Sequence, residues 1–152
     1  MRSTMETVRS WLLIVLVIGL LGTQAELLLL KHVEDVWQLV PVVLIGLSLI
    51  AVGWYALVKS ATSLRVIQLV MALFLVSGGT GTIQHFRGNV EHERESDPSV
   101  SGVDLYKRAL MGSTPALAPG TMIQLGLIGL LFTFRHPALV PKQNGNSPTE
   151  RT

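Results

Sequence analysis

Cysteine is absent from this chain of 152 residues, and charged residues make up only 14% of it. The first absence excludes thiolate nucleophiles, cysteine metal sites and disulfides. The low charge content excludes an ordinary soluble domain, in which about a quarter of the residues are charged. The twelve basic residues occur singly or in pairs, so no basic stripe could follow a nucleic-acid backbone. We therefore expect a membrane protein whose surroundings are the lipid bilayer and which has no nucleic-acid partner.

Long apolar runs are what the sequence has instead: 49% of its residues are hydrophobic. A helix needs about 20 residues to cross the hydrocarbon core, and backbone groups within lipid must be hydrogen-bonded inside the segment. The sequence therefore predicts an all-α, polytopic membrane protein, a bundle of four transmembrane helices forming one domain over residues 1–136. The four predicted spans are residues 11–30, 39–58, 66–84 and 117–134.

The basic residues also predict an orientation. Four spans place both termini on the same side of the membrane. That side then carries seven basic residues and two acidic ones, whereas the other side carries five basic residues and eight acidic ones. Short loops rich in Lys and Arg stay in the cytoplasm. We therefore expect a multi-pass protein of the cell (inner) membrane with both termini cytoplasmic. In an alternative interpretation, the basic start and apolar run form a secretory signal cleaved after Ala25.

The connection between the third and fourth spans is the largest segment predicted to lie outside the membrane. We expect residues 85–116 to form an outer-face loop, with a turn at Gly88 and Asn89. A short interfacial helix within it should be N-capped by Asp104 and closed by Gly112. Residues 137–152 are rich in proline and polar residues, which predicts a disordered cytoplasmic tail.

A spacing of two glycines, a threonine and an ionisable residue occurs in both the first and the third span. Helical geometry places each set on one face. Small residues let helices approach closely and threonine can hydrogen-bond across the contact, so we expect both faces to be packing surfaces. If the two faces meet, the ionisable residues would be partners. The two sets are Gly19, Gly22, Thr23 and Glu26, and Gly78, Gly81, Thr82 and His85.

The stretch "QHFRGNVEHERE" concentrates polar residues just after the third span. Together with residues near the end of the first span it predicts a polar cluster at the outer face, namely Glu26, His32, His85, Asn89, Glu91 and His92. A metal site from His85, His92 and Glu91 would suit a divalent metal such as zinc, iron or manganese. The alternative is a solvated charged loop in which these groups pair with Arg87 and Arg94.

No catalytic signature accompanies this cluster. The glycine-rich "SGGTGT" lacks the lysine of a phosphate loop, and no GxSxG sequence occurs. The leading interpretation is a small integral membrane protein acting by interaction, as an accessory or assembly subunit of a membrane complex or as a homo-oligomer. Its expected partners are other membrane subunits or itself. Two alternatives stay open: a membrane metalloenzyme or redox protein with an outer-face His/Glu site, and a small oligomeric transporter or channel.

Three stretches resemble segments of small bacterial four-span membrane proteins to which no activity is assigned. They are "AELLLLKHVEDVWQLVP", "QHFRGNVEHERE" and "PALAPGTMIQLGLIGLLFTFRHP". The resemblance covers about half of the chain and implies four spans and a bacterial source. It implies no ligand, cofactor or catalytic residue.

Overall fold

The computed structural model describes residues 3–112 and 114–140, and every regular element in these ranges is helical. The all-α prediction is therefore confirmed for the described chain. Five α-helices and a short 3₁₀ turn follow one another: α1 (Thr4–Leu29), α2 (Val36–Val58), α3 (Ala61–Ser96), α4 (Gly102–Leu110), α5 (Gly120–Thr133) and the turn Pro137–Leu139.

Polar side chains fix where the three long helices begin. The side-chain oxygens of Ser3, Asp35 and Ser60 each accept a hydrogen bond from a backbone N–H in the first turn of the helix that follows. These bonds satisfy amide groups that have no carbonyl partner at a helix start. Just beyond the ends of α1, α2 and α5, one residue has a left-handed backbone conformation with positive φ. In each case this residue is basic: Lys31, Lys59 and Arg135.

α1, α2, α3 and α5 form a four-membered antiparallel ring. α2 packs between α1 and α3 on one side, and α5 packs between them on the other. The interior contains fully buried side chains from all four helices, among them Leu16, Ile45, Met71, Phe74 and Phe132. Antiparallel neighbours are what short connections between successive helices favour.

The outside of this ring is also apolar. Side chains such as Leu29, Ile50 and Leu57 are 83%, 70% and 88% exposed. A surface of this kind suits lipid rather than water. Three helices, α1, α2 and α3, are long and apolar enough to cross a membrane, whereas α5 is apolar but has only 14 residues. The architecture is therefore that of a membrane protein with three candidate spans.

α5 is shorter than the predicted span 117–134. The chain makes tight turns over residues 116–119, where Gly120 N donates to Leu117 O and Met122 N donates to Pro119 O, and the helix begins only at Gly120. Fourteen residues rise about 21 Å. In α2, which starts at Val36, Pro41 lies in the second turn. Its missing N–H removes the helical donor to the Trp37 carbonyl.

α3 is the longest element and does not stop at the predicted boundary. It runs unbroken through Gly88 and Asn89, where we expected a turn, so residues 85–96 are helix rather than loop. These twelve residues extend about 18 Å beyond residue 84. α4 packs along them, burying Leu105 and Ala109. We call this unit, residues 85–110, the α3–α4 hairpin.

The predicted limits of the short helix α4 are wrong in detail. α4 begins at Gly102, so Asp104 lies in its first turn instead of capping it, and the helix ends at Leu110 rather than at Gly112. In the segment expected to be disordered, residues 137–139 form the 3₁₀ turn, and Leu139 packs against the core. Residues 141–152 of that segment lie outside the described residues.

Candidate functional site

The glycine face of α3 is a packing surface, and its partner is α5. A Cβ atom added to Gly78 would lie 2.7 Å from Ile123 Cγ1 and 2.9 Å from the Pro119 carbonyl oxygen. A Cβ on Gly81 would lie 2.9 Å from Pro119 Cβ. Both glycines therefore let the start of α5 approach the α3 backbone closely, as small residues do between transmembrane helices.

The corresponding face of α1 is used differently. Gly19 faces the flexible tip of Leu125 on α5, and nothing lies within 4 Å of a Cβ built on Gly22. Nor does Thr82 bond across a helix contact, because its hydroxyl donates to the Gly78 carbonyl of its own helix at 2.9 Å. The two glycine faces thus do not meet each other: α5 separates them.

An open cavity of about 930 Å³ lies at the end of the ring where α1 ends and α2 and α5 begin, beside residues 73–88 of α3. We call it the bundle-end cavity. Part of its lining is apolar and includes Leu44, Leu73, Val76 and Met122, which we call the wall. The rest is polar, and we call it the rim; it includes Thr23, Glu26, His32, Asp35, Gln38, Gln84 and His85. Three members of the predicted polar cluster, Glu26, His32 and His85, therefore share one cavity.

Glu26 and His85 line the same cavity without bonding to each other. Within residues 3–112 and 114–140 no hydrogen bond or ion pair joins them. Instead, His85 Nδ1 lies 3.1 Å from the Pro115 carbonyl oxygen. A carbonyl can only accept, so this hydrogen bond requires a proton on Nδ1.

The predicted metal ligands are not brought together. Glu91 lines a separate groove beside α4 rather than the cavity. His92 is exposed, seven positions after His85 on a continuous helix and so about 10.5 Å further along its axis. Two ring nitrogens that bind one zinc ion must lie within about 4 Å of each other. In the part of the chain that the structure describes, no group of three His, Asp or Glu side chains could hold a metal ion.

Asn89 has a structural role that the sequence analysis did not find. It is 3% exposed, and its Nδ2 donates to the carbonyl oxygens of Ala109 at 2.8 Å and Thr114 at 2.7 Å. Its Oδ1 accepts from Thr114 N at 3.3 Å. Glycine at position 112 provides the space for this side chain, because a Cβ atom there would lie only 2.6 Å from Asn89 Cγ. This amide therefore fastens the end of α4 and the following connection to α3.

The α3–α4 hairpin carries its own groove of about 650 Å³. The rings of Phe86 and Tyr106 stack there, with centroids 5.7 Å apart and planes inclined by 16°. Charged side chains of α3 surround the pair: Arg87, Glu91, Arg94 and Glu95. The groove therefore combines an aromatic centre with a rim of both charge signs.

The ion pairs of this hairpin differ from those expected. Arg108 of α4, rather than Arg87 or Arg94, pairs with Asp97 at 3.5 Å and with Glu93 at 4.0 Å. Hydrogen bonds from the hydroxyl and backbone N–H of Ser99, followed by the charge of Arg108, lower the pKa of Asp97. Exposed pairs of this kind add little stability, so the hairpin depends mainly on its buried contacts.

The opposite end of the ring contains a second cluster that the sequence analysis missed. Arg9 Nη2 donates to the Arg135 carbonyl at 2.9 Å and to the Phe134 carbonyl at 3.4 Å. The Tyr55 hydroxyl lies 3.1 Å from His136 Nε2, while Ala138 N donates to Nδ1 of the same ring. Burial, and then the charge of Arg9, lower the pKa of His136. This cluster ties the end of α5 to α1 and α2.

The described geometry of the site consists of a cavity with apolar and polar lining and of a groove with an aromatic centre. What the site offers is therefore binding surface: one amphipathic cavity and one mixed groove. Compared with protein-family models, with curated proteins and with solved structures, the chain shows no match.

Proposed function

We propose that this chain is a four-span integral membrane protein, with both termini in the cytoplasm, that acts by interaction with another membrane subunit. α5 would be the fourth span, extended by the turns at both of its ends, and α4 would lie at the outer interface. The contact of Arg9 with the Arg135 carbonyl supports this topology, because it brings the start of α1 and the segment after α5 to the same end of the bundle. Cleavage after Ala25 would remove Leu16 and Leu20, both fully buried, from the core.

The topology is testable because the natural chain has no cysteine. We expect Ser96→Cys, at the end of α3, to react with a membrane-impermeant maleimide in intact cells. Thr62→Cys, exposed near the start of α3, should react only after the membrane is permeabilised. Labelling of both cysteines in intact cells, or of Thr62→Cys alone, would contradict the proposed orientation.

The α3–α4 hairpin carries the interaction proposal. α3 continues about 18 Å past the predicted span as one rigid helix. Buried Leu105 and Ala109 and the Asn89 hydrogen bonds hold α4 against it. The resulting groove exposes the Tyr106 ring, 60% accessible, among charges of both signs. An aromatic centre with a charged rim is the composition of a protein interface, and a pre-organised surface loses less entropy on binding.

A photo-crosslinking amino acid at position 106 tests this proposal in the native membrane. We expect Tyr106→benzoyl-Phe to give one adduct of defined mass, which Arg94→Glu in the same groove should reduce at least fivefold. The same crosslinker at Leu57, 88% exposed on α2, is the matched control and should give no defined adduct. An adduct to a second copy of the chain supports the homo-oligomeric form of the proposal. Absence of any adduct at position 106, with a monomeric mass in mild detergent, would refute it.

A further inference from the structure

We propose that the bundle-end cavity binds a lipophilic cation, a molecule with an apolar body and a positively charged centre. The proposal is independent of the interaction assigned to the α3–α4 hairpin, because the groove and the cavity share no lining residue.

The size and lining of the cavity suit such a molecule. Its volume of about 930 Å³ falls within the range of about 300 to 1,000 Å³ that is typical of small-molecule sites. Leu44, Leu73, Val76 and Met122 form an apolar wall on three different helices. A ligand inserted here would pack its apolar body against this wall and leave its polar part at the rim, which is how apolar contact and orientation combine in such sites.

The charge of the rim selects the sign of the ligand. Glu26 and Asp35 line the cavity, and its lining contains no Lys or Arg. The ion pairs among the described residues all involve Arg108, so neither carboxylate has a basic side chain as its partner. A carboxylate at the edge of a membrane span is costly unless it reaches water or a cation. A bound cation would supply the missing charge, whereas an anion would be repelled by both groups.

The other rim groups are suited to a cation as well. Trp37 lines the cavity, and the face of an indole ring attracts positive charge. The bond from His85 Nδ1 to the Pro115 carbonyl leaves Nε2 as an acceptor when the ring is neutral. The rim thus offers negative charge, an aromatic face and a hydrogen-bond acceptor to one occupant.

Two probes of nearly equal size and opposite charge test the proposal: tetraphenylphosphonium and tetraphenylborate. Binding of each to the full chain would be measured by titration calorimetry in a non-ionic detergent, after subtraction of the titration of the same probe into protein-free micelles. We expect saturable binding of one tetraphenylphosphonium per chain, at least tenfold tighter than that of tetraphenylborate. Glu26→Gln should weaken tetraphenylphosphonium binding at least tenfold and leave tetraphenylborate binding no weaker.

Two variants control for the site. Glu95→Gln removes a carboxylate of the same helix bundle from the hairpin groove, outside the cavity, and should leave the affinity unchanged. Thr80→Trp places a large side chain at an exposed position of the cavity wall and should reduce binding of both probes. Circular dichroism shows whether each variant is folded. Equal affinity for the two probes, tighter binding of the anion, no saturable binding, or an unchanged affinity in folded Glu26→Gln would each overturn the proposal. None of these results bears on crosslinking at Tyr106.

Discussion

Gly78→Ala is expected to destabilise the bundle by about 2 to 3 kcal/mol, the cost of overpacking a close contact. The added methyl group would meet the Pro119 carbonyl oxygen at 2.9 Å and Ile123 N at 3.0 Å. Both are backbone atoms of the α5 start, which cannot rotate away as a side chain can. The start of α5 would have to shift as a whole, and the close approach of Gly126 to the Met71 carbonyl and to Phe74 Cβ further along would be strained with it.

Gly79→Ala is the matched control for this prediction. It makes the same chemical change one position along the same helix, but nothing lies within 4 Å of the added Cβ atom. Since alanine is the better helix former, this variant should be neutral or slightly more stable. Thermal unfolding in detergent, followed by circular dichroism, measures the difference between the two variants. Equal midpoints for Gly78→Ala and Gly79→Ala would show that α5 does not press against α3 at this point.

Asn89→Ala is expected to cost about 2 to 4 kcal/mol, because it leaves buried backbone groups without partners. The Ala109 and Thr114 carbonyls would lose their donor, and Thr114 N would lose its acceptor. These bonds join α4 and the following connection to α3, so the first consequence should be local release of α4. Trypsin cleavage after Lys107 or Arg108 on that helix should accelerate at least tenfold.

His92→Ala provides the comparison for Asn89→Ala. It truncates an exposed polar side chain less than one turn further along α3, where no hydrogen bond of the ring is present among the described contacts. Exposed substitutions of this kind usually change stability by less than about 0.5 kcal/mol. If both variants resist trypsin equally, the Asn89 side chain does not hold α4, and the pre-organised groove that supports the interaction proposal loses its main support.

Hydropathy identified the helices well and their ends poorly. The predicted spans 11–30, 39–58 and 66–84 all lie within or almost within α1, α2 and α3, because apolar runs of this length require internal backbone bonding. The ends depend on weaker local effects. Gly88 and Asn89 carry a turn signal, yet α3 continues because the Asn89 side chain finds its partners in the α4 connection instead of its own backbone.

The candidate site was predicted in part. The spacing of Glu26 and His85 indicated that both lie at one end of the bundle, and they do line one cavity. The expected contact between Glu26 and His85 is not formed, because His85 instead makes a hydrogen bond to the Pro115 carbonyl in the connection before α5. Two other features join residues that are far apart in the chain. One is the groove in which the rings of Phe86 and Tyr106 stack, and the other is the cluster of Arg9, Tyr55 and His136. No local pattern marks such contacts.

The sequence by itself determined the helical class, the apolar surface and the end of the bundle at which the polar residues collect. These properties follow from composition and from the 3.6-residue period, which each segment carries alone. Only the tertiary structure decided what the two similar glycine faces contact. Gly78 and Gly81 press against Pro119 and Ile123, whereas Gly22 faces open space. A small residue permits a close approach but does not choose the partner, and that choice depends on where α5 packs between α1 and α3.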